Sequence, residues 1–403
     1  MLRDKTIVLG VTGGIAAYKS AYLASALRKQ HATVHVIMTK HATEFISPLT
    51  FETLTNNRCT VDMFDRHFEY DVKHISLAKA ADLMIVAPAT ANFIAKAANG
   101  IADDMLTTVF LAARCPKLVA PAMNTAMYEN PVTQDNLHKL AGYGIKVIEP
   151  ASGLLACGDE GKGKMPEPNE LLSHILNEIA FKKDLAGLKV LVTAGPTQEA
   201  IDPVRYITNH SSGKMGYALA RVCRMRGAEV TLVSGKTALE APLGVGMIDV
   251  TSSLEMHDAV LKYAADADMI FKAAAVADYT PIETADHKIK KQDGDMTIPL
   301  KRTSDILGDV AQIRRPDQVI CGFAMETENL IENSRSKLKR KKLDMICANS
   351  LRTEGAGFKG DTNVITIITT DDMTELGKLS KTETAYRIID KALSLRKDKL
   401  KTV

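Results

Sequence analysis

One cysteine, Cys157, sits in the run ASGLLACGDEGKGKMPEP (151–168) among glycines, lysines and acids. Those residue types allow a phosphate loop, a hinge, or a lid that carries a reactive thiol over a pocket. A second candidate is GVTGG (10–14), where Gly10, Gly13 and Gly14 let backbone N–H groups approach a phosphate at a helix start. Farther on, SSGKMG (211–216) offers hydroxyls, backbone amides and Lys214 at a positive helix end. KIKK (288–291) and SKLKRKK (336–342) concentrate positive charge, and Lys337 and Lys341 share one helical face. Such runs are most often solvated surface, but two of them beside a nucleotide fold would clamp a triphosphate.

Spacing narrows these readings. GVTGG is not GxGxxG, and the next strand ends with Thr39 and Lys40, where a dinucleotide-binding chain places an acid for the ribose. Dinucleotide binding is disfavoured, while a mononucleotide such as FMN fits. SSGKMG lacks the GxxxxGK[ST] spacing of a P-loop. The six cysteines (Cys59, Cys115, Cys157, Cys223, Cys321, Cys347) form no CxxC pair, which favours reduced thiols in the cytoplasm over a disulfide scaffold or zinc site. With no Trp and a net charge of +3, no nucleic-acid platform is expected. The N-terminus runs straight into a strand pattern without a secretory h-region, and no apolar stretch reaches the roughly 18 residues of a membrane helix.

The elements that must hold these residues are legible as well. Short apolar runs (TIVLGV, TVHVIMT, LMIVAP, KLVAPAM, IKVIEP) read as buried parallel strands, and segments such as IAAYKSAYLASALRKQ carry the helical period. A second start at LKVLVTAGPT (188–197) repeats the scheme through EVTLVSG, MIFKAAAVAD, VICGFAME, MICANS and VITIIT. The expected fold is α/β, two Rossmann-like domains with mainly parallel sheets, over residues 1–180 and 188–403 with a connector at 181–187. ADLMIVAPATAN (81–92) and ADMIFKAAAVAD (267–278) echo each other: in both, a buried strand opens into a small-residue loop. That end of a strand is where open α/β sheets bind ligands.

GVTGGIAAYK, KHISLAK, PAMNTAMYENP, ASGLLACGDEGKGKMPEP, TAGPTQEAIDPVRYITNHSSGKMG, AAVADY, KIKK and GFAMET occur in that order. Together they resemble the bacterial bifunctional phosphopantothenoylcysteine decarboxylase/phosphopantothenate–cysteine ligase of coenzyme A biosynthesis, over nearly the whole chain. The resemblance implies a flavodoxin-like, FMN-dependent decarboxylase in the first half and a CTP- and Mg2+-dependent ligase in the second. The ligase would join 4′-phosphopantothenate to cysteine through an acyl-cytidylate, and the decarboxylase would convert the product to 4′-phosphopantetheine. A cysteine carboxylate has no electron sink beside it. Oxidising the thiol to a thioaldehyde supplies one, and a flavin accepts that hydride. Loss of CO2 then leaves an enethiolate, which needs the hydride back and a proton.

Carried over residue by residue, the resemblance makes His74 the active-site histidine, able to act as base or to orient substrate. Asn124 becomes the holder of the substrate carboxylate, its amide donating hydrogen bonds without adding charge. Gly13, Gly14, Thr39, Thr90 and Asn92 become the FMN contacts. Cys157, on a flap with mobile glycines, becomes the proton donor of the final reductive step. In the ligase half, Asn209 serves the acyl-cytidylate step and Lys288 offsets developing charge. Lys272, Ala273, Ala274, Asp278, Lys288, Ser304, Asp305, Ile306, Leu307, Phe323, Lys337 and Lys341 match CTP positions. Two departures are visible. Tyr128 stands where the family often has Trp, and Thr303-Ser304-Asp305-Ile306 replaces NPD[IV], so a loop-fixing proline is lost. The family's assembly implies a homododecamer with ligase-domain dimers. Two competing readings are a non-enzymatic flavin-binding regulatory protein and an NAD(P)H-dependent flavin reductase; the missing dinucleotide fingerprint weakens the latter.

Overall fold

A computed structural model describes residues 1–64, 73–154, 158–291, 293–326, 329–350 and 360–402. Cys157 lies outside them. The chain divides into two compact units, Met1–Phe181 and Lys182–Val403. Among the described residues no helix is long and apolar enough to cross a membrane.

The first unit runs β1 (Thr6–Val11), α1 (Ala17–Lys29), β2 (Thr33–Met38), α2 (Pro48–Thr55), α3 (Lys73–Ala80), β3 (Leu83–Ala89), α4 (Ala91–Ala98), α5 (Met105–Ala112), β4 (Lys117–Pro121), α6 (Thr125–Glu129), α7 (Pro131–Gly142), β5 (Lys146–Val147), β6 (Ala151–Leu154), β7 (Glu160–Lys164) and α8 (Pro168–Ile179). β1 to β5 form one parallel sheet in the order β2-β1-β3-β4-β5. Every residue of β3 is buried, as expected for a strand covered by helices on both faces. Helix starts follow their caps: Thr90 accepts from the Phe93 N–H for α4, and Asp104 and Thr107 form a reciprocal capping box for α5. The order is the flavodoxin-like one, whose switch point lies between β1 and β3. The flap segment is in part an antiparallel hairpin, β6–β7.

The second unit contains β8 (Lys189–Ala194), β9 (Gln198–Ala200), β10 (Tyr206–Thr208), α9 (Lys214–Met225), β11 (Glu229–Ser234), β12 (Gly246–Asp249), α10 (Ser253–Ala264), β13 (Met269–Lys272), β14 (Tyr279–Pro281), β15 (Leu300–Arg302), α11 (Ile306–Ile313), β16 (Val319–Glu326), α12 (Leu330–Arg340), β17 (Met345–Ser350), β18 (Thr362–Thr369), β19 (Met373–Ser380) and α13 (Lys381–Thr402). Its main sheet has the order β12-β11-β8-β13-β16-β17-β18-β19. The first six of those strands are parallel in the Rossmann order, with the switch point between β8 and β13. VITIIT, read from sequence as part of the parallel scheme, is instead antiparallel to both neighbours. The three residues between β18 and β19 are too few for a crossover, so those two strands must form a hairpin. Gly216 lets α9 lie against β8: a Cβ there would come within 2.6 Å of the Ala194 Cβ. The segment ahead of β8 is tied down too, with Leu185 fully buried and Asp184 paired to Arg226.

Candidate functional site

In the first unit, β1 and β3 end side by side at the switch point, and one threonine links the loops that follow. The buried Thr12 hydroxyl donates to the Pro88 carbonyl at 2.8 Å and accepts from the Thr90 N–H at 3.1 Å. Above these loops lies a cavity of about 500 Å3. Gly13, Gly14, Thr90 and Asn124 line it, together with apolar Ile15, Pro88, Ala91, Ala122, Met123 and Met127. The hairpin closes one wall with Leu154, Gly163, Lys164 and Met165. Gly163, at φ 148°, passes so close to the backbone that a Cβ would sit 2.3 Å from the Met123 carbonyl oxygen.

Asn124 does two things at once. Its Oδ1 accepts from the Ala126 N–H at 2.9 Å, which caps α6. Its Nδ2 donates to the Asp159 carboxylate at 2.8 Å. The amide therefore already holds a carboxylate, the chemistry expected of it toward a substrate. Lys19, the last residue of GVTGGIAAYK, is a site residue that sequence reasoning misses. It lines the cavity, is 7% exposed, and pairs with Glu167 at 2.7 Å. A lysine within a helical apolar face was the available signal. His74 sits half-buried in the first turn of α3 and is not part of this lining, nor are Thr39 and the exposed Asn92. Tyr128 is 8% exposed and packs in the core of the unit.

In the second unit the loops after β8 and β13 are stitched together. The Thr193 hydroxyl accepts from the Ala274 N–H at 3.1 Å, and the Thr197 hydroxyl from the Ala277 N–H at 3.0 Å. Lys272, the last residue of β13, is 8% exposed. Burial pushes its pKa down to about 7; Lys337 pushes the same way and Asp305 opposes. Asp305 caps α11 by accepting from the Gly308 N–H at 3.1 Å, and it forms an ion pair with Lys341. The cap thus persists although Ser304 replaces the family proline. Lys337 donates to the Phe323 carbonyl at 2.9 Å. Lys272, Asp305, Phe323, Lys337 and Lys341 are therefore brought together from β13, β16, α11 and α12. Ala273 and Ala274 follow Lys272 in the same loop, and Ile306 and Leu307 open α11.

Other expected positions sit on neighbouring loops, where the Asp278 carbonyl accepts from the Thr303 N–H at 3.0 Å, two residues ahead of Asp305. Asn209 is exposed and donates to the Val276 carbonyl at 3.1 Å, beside the exposed Asp278. Lys288 is exposed on a loop that is anchored one residue on. The Ile289 carbonyl accepts from Arg205 at 2.6 Å, and the Ile289 N–H donates to buried Asp202 at 3.1 Å. Among the described residues no group of three or more His, Cys, Asp or Glu side chains could hold a metal ion.

Residues 1–180 match the family model described as Flavoprotein, and residues 185–395 match that described as DNA/pantothenate metabolism flavoprotein C-terminal domain. The coenzyme A biosynthesis bifunctional protein CoaBC of Bacillus subtilis (strain 168) is 46% identical over 403 residues, 98% of each chain. That of Vibrio cholerae is 48% identical over 390 residues, 96% of this chain and 98% of the relative. A crystal structure of the C-terminal domain of a CoaBC protein is 41% identical, with a TM-score of 0.46, covering 53% of this chain and 98% of the other. With both family models matched in tandem and near-complete relatives on that scale, the chain belongs to the family of the coenzyme A biosynthesis bifunctional protein CoaBC.

Proposed function

We propose that the chain makes 4′-phosphopantetheine in two steps, one in each unit. The 188–403 region ligates 4′-phosphopantothenate and cysteine through an acyl-cytidylate, using CTP and Mg2+. The 1–180 region decarboxylates the product with FMN. The observation that carries the reading is the pairing of two dissimilar sites, each at the switch point of its own sheet. One is an apolar cavity with a carboxylate-holding amide; the other is a group of lysines around Asp305, whose positive charge suits a triphosphate.

The cavity fits a flavin mononucleotide. Its apolar walls suit a planar ring system, and the open backbone at Gly14, where a Cβ would meet nothing within 4 Å, suits a phosphate. Gly13, Gly14, Thr90 and the Ala122–Met123 wall would hold it, with Thr39 and Asn92 as outer contacts. When bound, the flavin supplies the hydride acceptor that an isolated cysteine carboxylate lacks. This chain's residues do the rest. The Asn124 amide exchanges Asp159 for the substrate carboxylate and orients it. The β6–β7 hairpin covers the cavity and excludes water. His74 and Cys157 supply the base and the final proton, His74 from outside the described lining. In the ligase unit, Asn209 steadies the activated carboxyl, while Lys288, Lys337 and Lys341 offset phosphate charge.

A homododecamer in the cytoplasm is part of this reading. It rests on the membership of the CoaBC family. The test is one assay with purified protein, 4′-phosphopantothenate, cysteine, CTP and Mg2+, following pyrophosphate and CO2. Both products are expected. Neither would sink the reading, and pyrophosphate alone would keep the ligase and reject decarboxylation.

A further inference from the structure

The carboxylate that Asn124 holds belongs to the protein itself, and the fold builds that contact. Asp159, just ahead of β7, and Gly161 and Gly163 within it occupy alternate positions, so they share one face of the strand. That face lies on the segment 123–125. A Cβ at Gly161 would sit 2.6 Å from the Thr125 Oγ1, and one at Gly163 2.3 Å from the Met123 carbonyl oxygen. The Met123 N–H donates to the Gly163 carbonyl at 3.0 Å. The two glycines thus let the strand lie in close contact, and the next position on that face, Asp159, accepts from the Asn124 Nδ2 at 2.8 Å. Asn124 is itself held, because its Oδ1 caps α6 through the Ala126 N–H. Asn124 lines the cavity, whereas Asp159 is exposed, so water can solvate its carboxylate when it leaves the amide.

We propose that Asp159 is a positioning residue of the decarboxylase site: it competes with the substrate carboxylate for the Asn124 amide and takes the amide back as CO2 leaves. The inference rests on the reading of Asn124 as the holder of that carboxylate. Nδ2 has a second hydrogen, but a substrate carboxylate on it would lie beside the Asp159 carboxylate, and like charges that close repel. The substrate acid therefore displaces Asp159. One carboxylate–amide bond is exchanged for another, with little net gain in affinity. Without the competitor, the full bond would stabilise the bound acid. Such a bond is strongest in the ground state, since the carboxylate loses its charge as its C–C bond breaks and neutral CO2 departs. The electron pair of that bond moves into the enethiolate, and the Asp159 carboxylate again supplies the amide with a charged acceptor. Asp159 thus weakens ground-state binding without weakening the transition state.

The experiment compares two ligands of the FMN-loaded full-length protein. One is 4′-phosphopantothenoylserine, which keeps the carboxylate and lacks the thiol; the other is 4′-phosphopantetheine, which has no carboxylate. Binding is read from the change in flavin absorbance, which reports this site alone. Asp159→Ala should lower the Kd of the serine compound about 10-fold and leave that of 4′-phosphopantetheine unchanged. With 4′-phosphopantothenoylcysteine as substrate, KM and kcat for CO2 release should fall together, and kcat/KM should hold within about threefold. In an Asn124→Ala background the same change should no longer tighten the serine compound. A merely structural role for Asp159 would weaken both ligands alike. That outcome, an unchanged Kd for the serine compound, or equal tightening without the Asn124 amide overturns the inference. Asp159→Asn keeps the side-chain shape and a neutral acceptor, and should tighten the serine compound by a smaller factor. Should the alanine variant fail to fold, no tightening in the asparagine variant overturns the inference. Absence of CO2 release by the wild type overturns the decarboxylase reading itself.

Discussion

At the scale of single residues, Asn124 shows how a cap and a binding group coincide. Its Oδ1 faces the first turn of α6, and its Nδ2 faces outward to a carboxylate. Asp caps a helix about as well as Asn, but presents a negative charge in place of the donor. Asn124→Asp should therefore keep the fold and lose decarboxylation. A hydrogen bond to a charged group is worth about 1.5–3 kcal/mol, so kcat/KM should fall at least about 10- to 100-fold, read as CO2 release. Full activity in that variant would leave Asn124 a cap alone. His174 on α8 offers a pH test. Burial is the main cause lowering its pKa to about 4, Lys146 adds to it and Glu178 opposes, and its buried Nδ1 has no hydrogen-bond partner among the described residues. The unfolded chain binds this proton near pH 6.5, the native state only near 4. Its contribution to stability is thus complete above pH 6.5 and lost as pH falls toward 4. His174→Gln should flatten that part of the first unit's melting-temperature profile; an unchanged slope would refute the assignment.

At the scale of elements, the ends of strands do the positioning and helices hold them. Arg226, 1% exposed at the end of α9, ion-pairs with Asp184 ahead of β8 and with Asp390 on α13, and stacks over Tyr386 at 4.9 Å. One side chain thus joins the entry segment, α9 and the C-terminal helix. Arg226 is buried but Asp184 and Asp390 are each 40% exposed, so the carboxylates left behind are hydrated and removing the guanidinium costs about 1–3 kcal/mol in lost charged hydrogen bonds. Arg226→Met should lower the melting of the second unit by that order in calorimetry. The transition of the first unit should stay where it is, and a shift of the first unit alone would contradict the clamp. The hairpin β6–β7 is the corresponding device in the first unit, where only glycine fits at position 163 against Met123.

At the scale of the whole molecule, each candidate site is assembled from residues of one unit, so the activities should be separable by mutation. Asn209→Ala is expected to suppress pyrophosphate release while leaving CO2 release from supplied 4′-phosphopantothenoylcysteine intact. Asn124→Asp should do the reverse. Loss of both activities in either variant, with the fold intact by circular dichroism, would mean that the sites are coupled. Two strand orders carry this division. The flavodoxin-like order leaves one broad cavity between β1 and β3, and the Rossmann order gathers lysines from α12 around the end of β13.

By itself the sequence determined the α/β class, the two repeats of strand and helix, and the motif-bearing residues, because buried parallel strands are short apolar runs and their loops carry glycines and small residues. Gly13 and Gly14 were readable in that way, Thr90 and Asn124 through the family resemblance, and the structure gathers the four around one cavity. What only the tertiary structure decided depends on contacts distant in sequence. The direction of β18 and β19 is set by a short turn and pairing partners, which the apolar pattern of VITIIT does not encode. Thr12 reaches across 76 residues to pin Pro88. Lys272 in MIFKAAAVAD is marked by the sequence as a CTP position only through the family resemblance. Its burial and the lysines that face it exist only once β13, α11 and α12 are folded together, and there low solvation turns an ordinary lysine into one that titrates near neutrality.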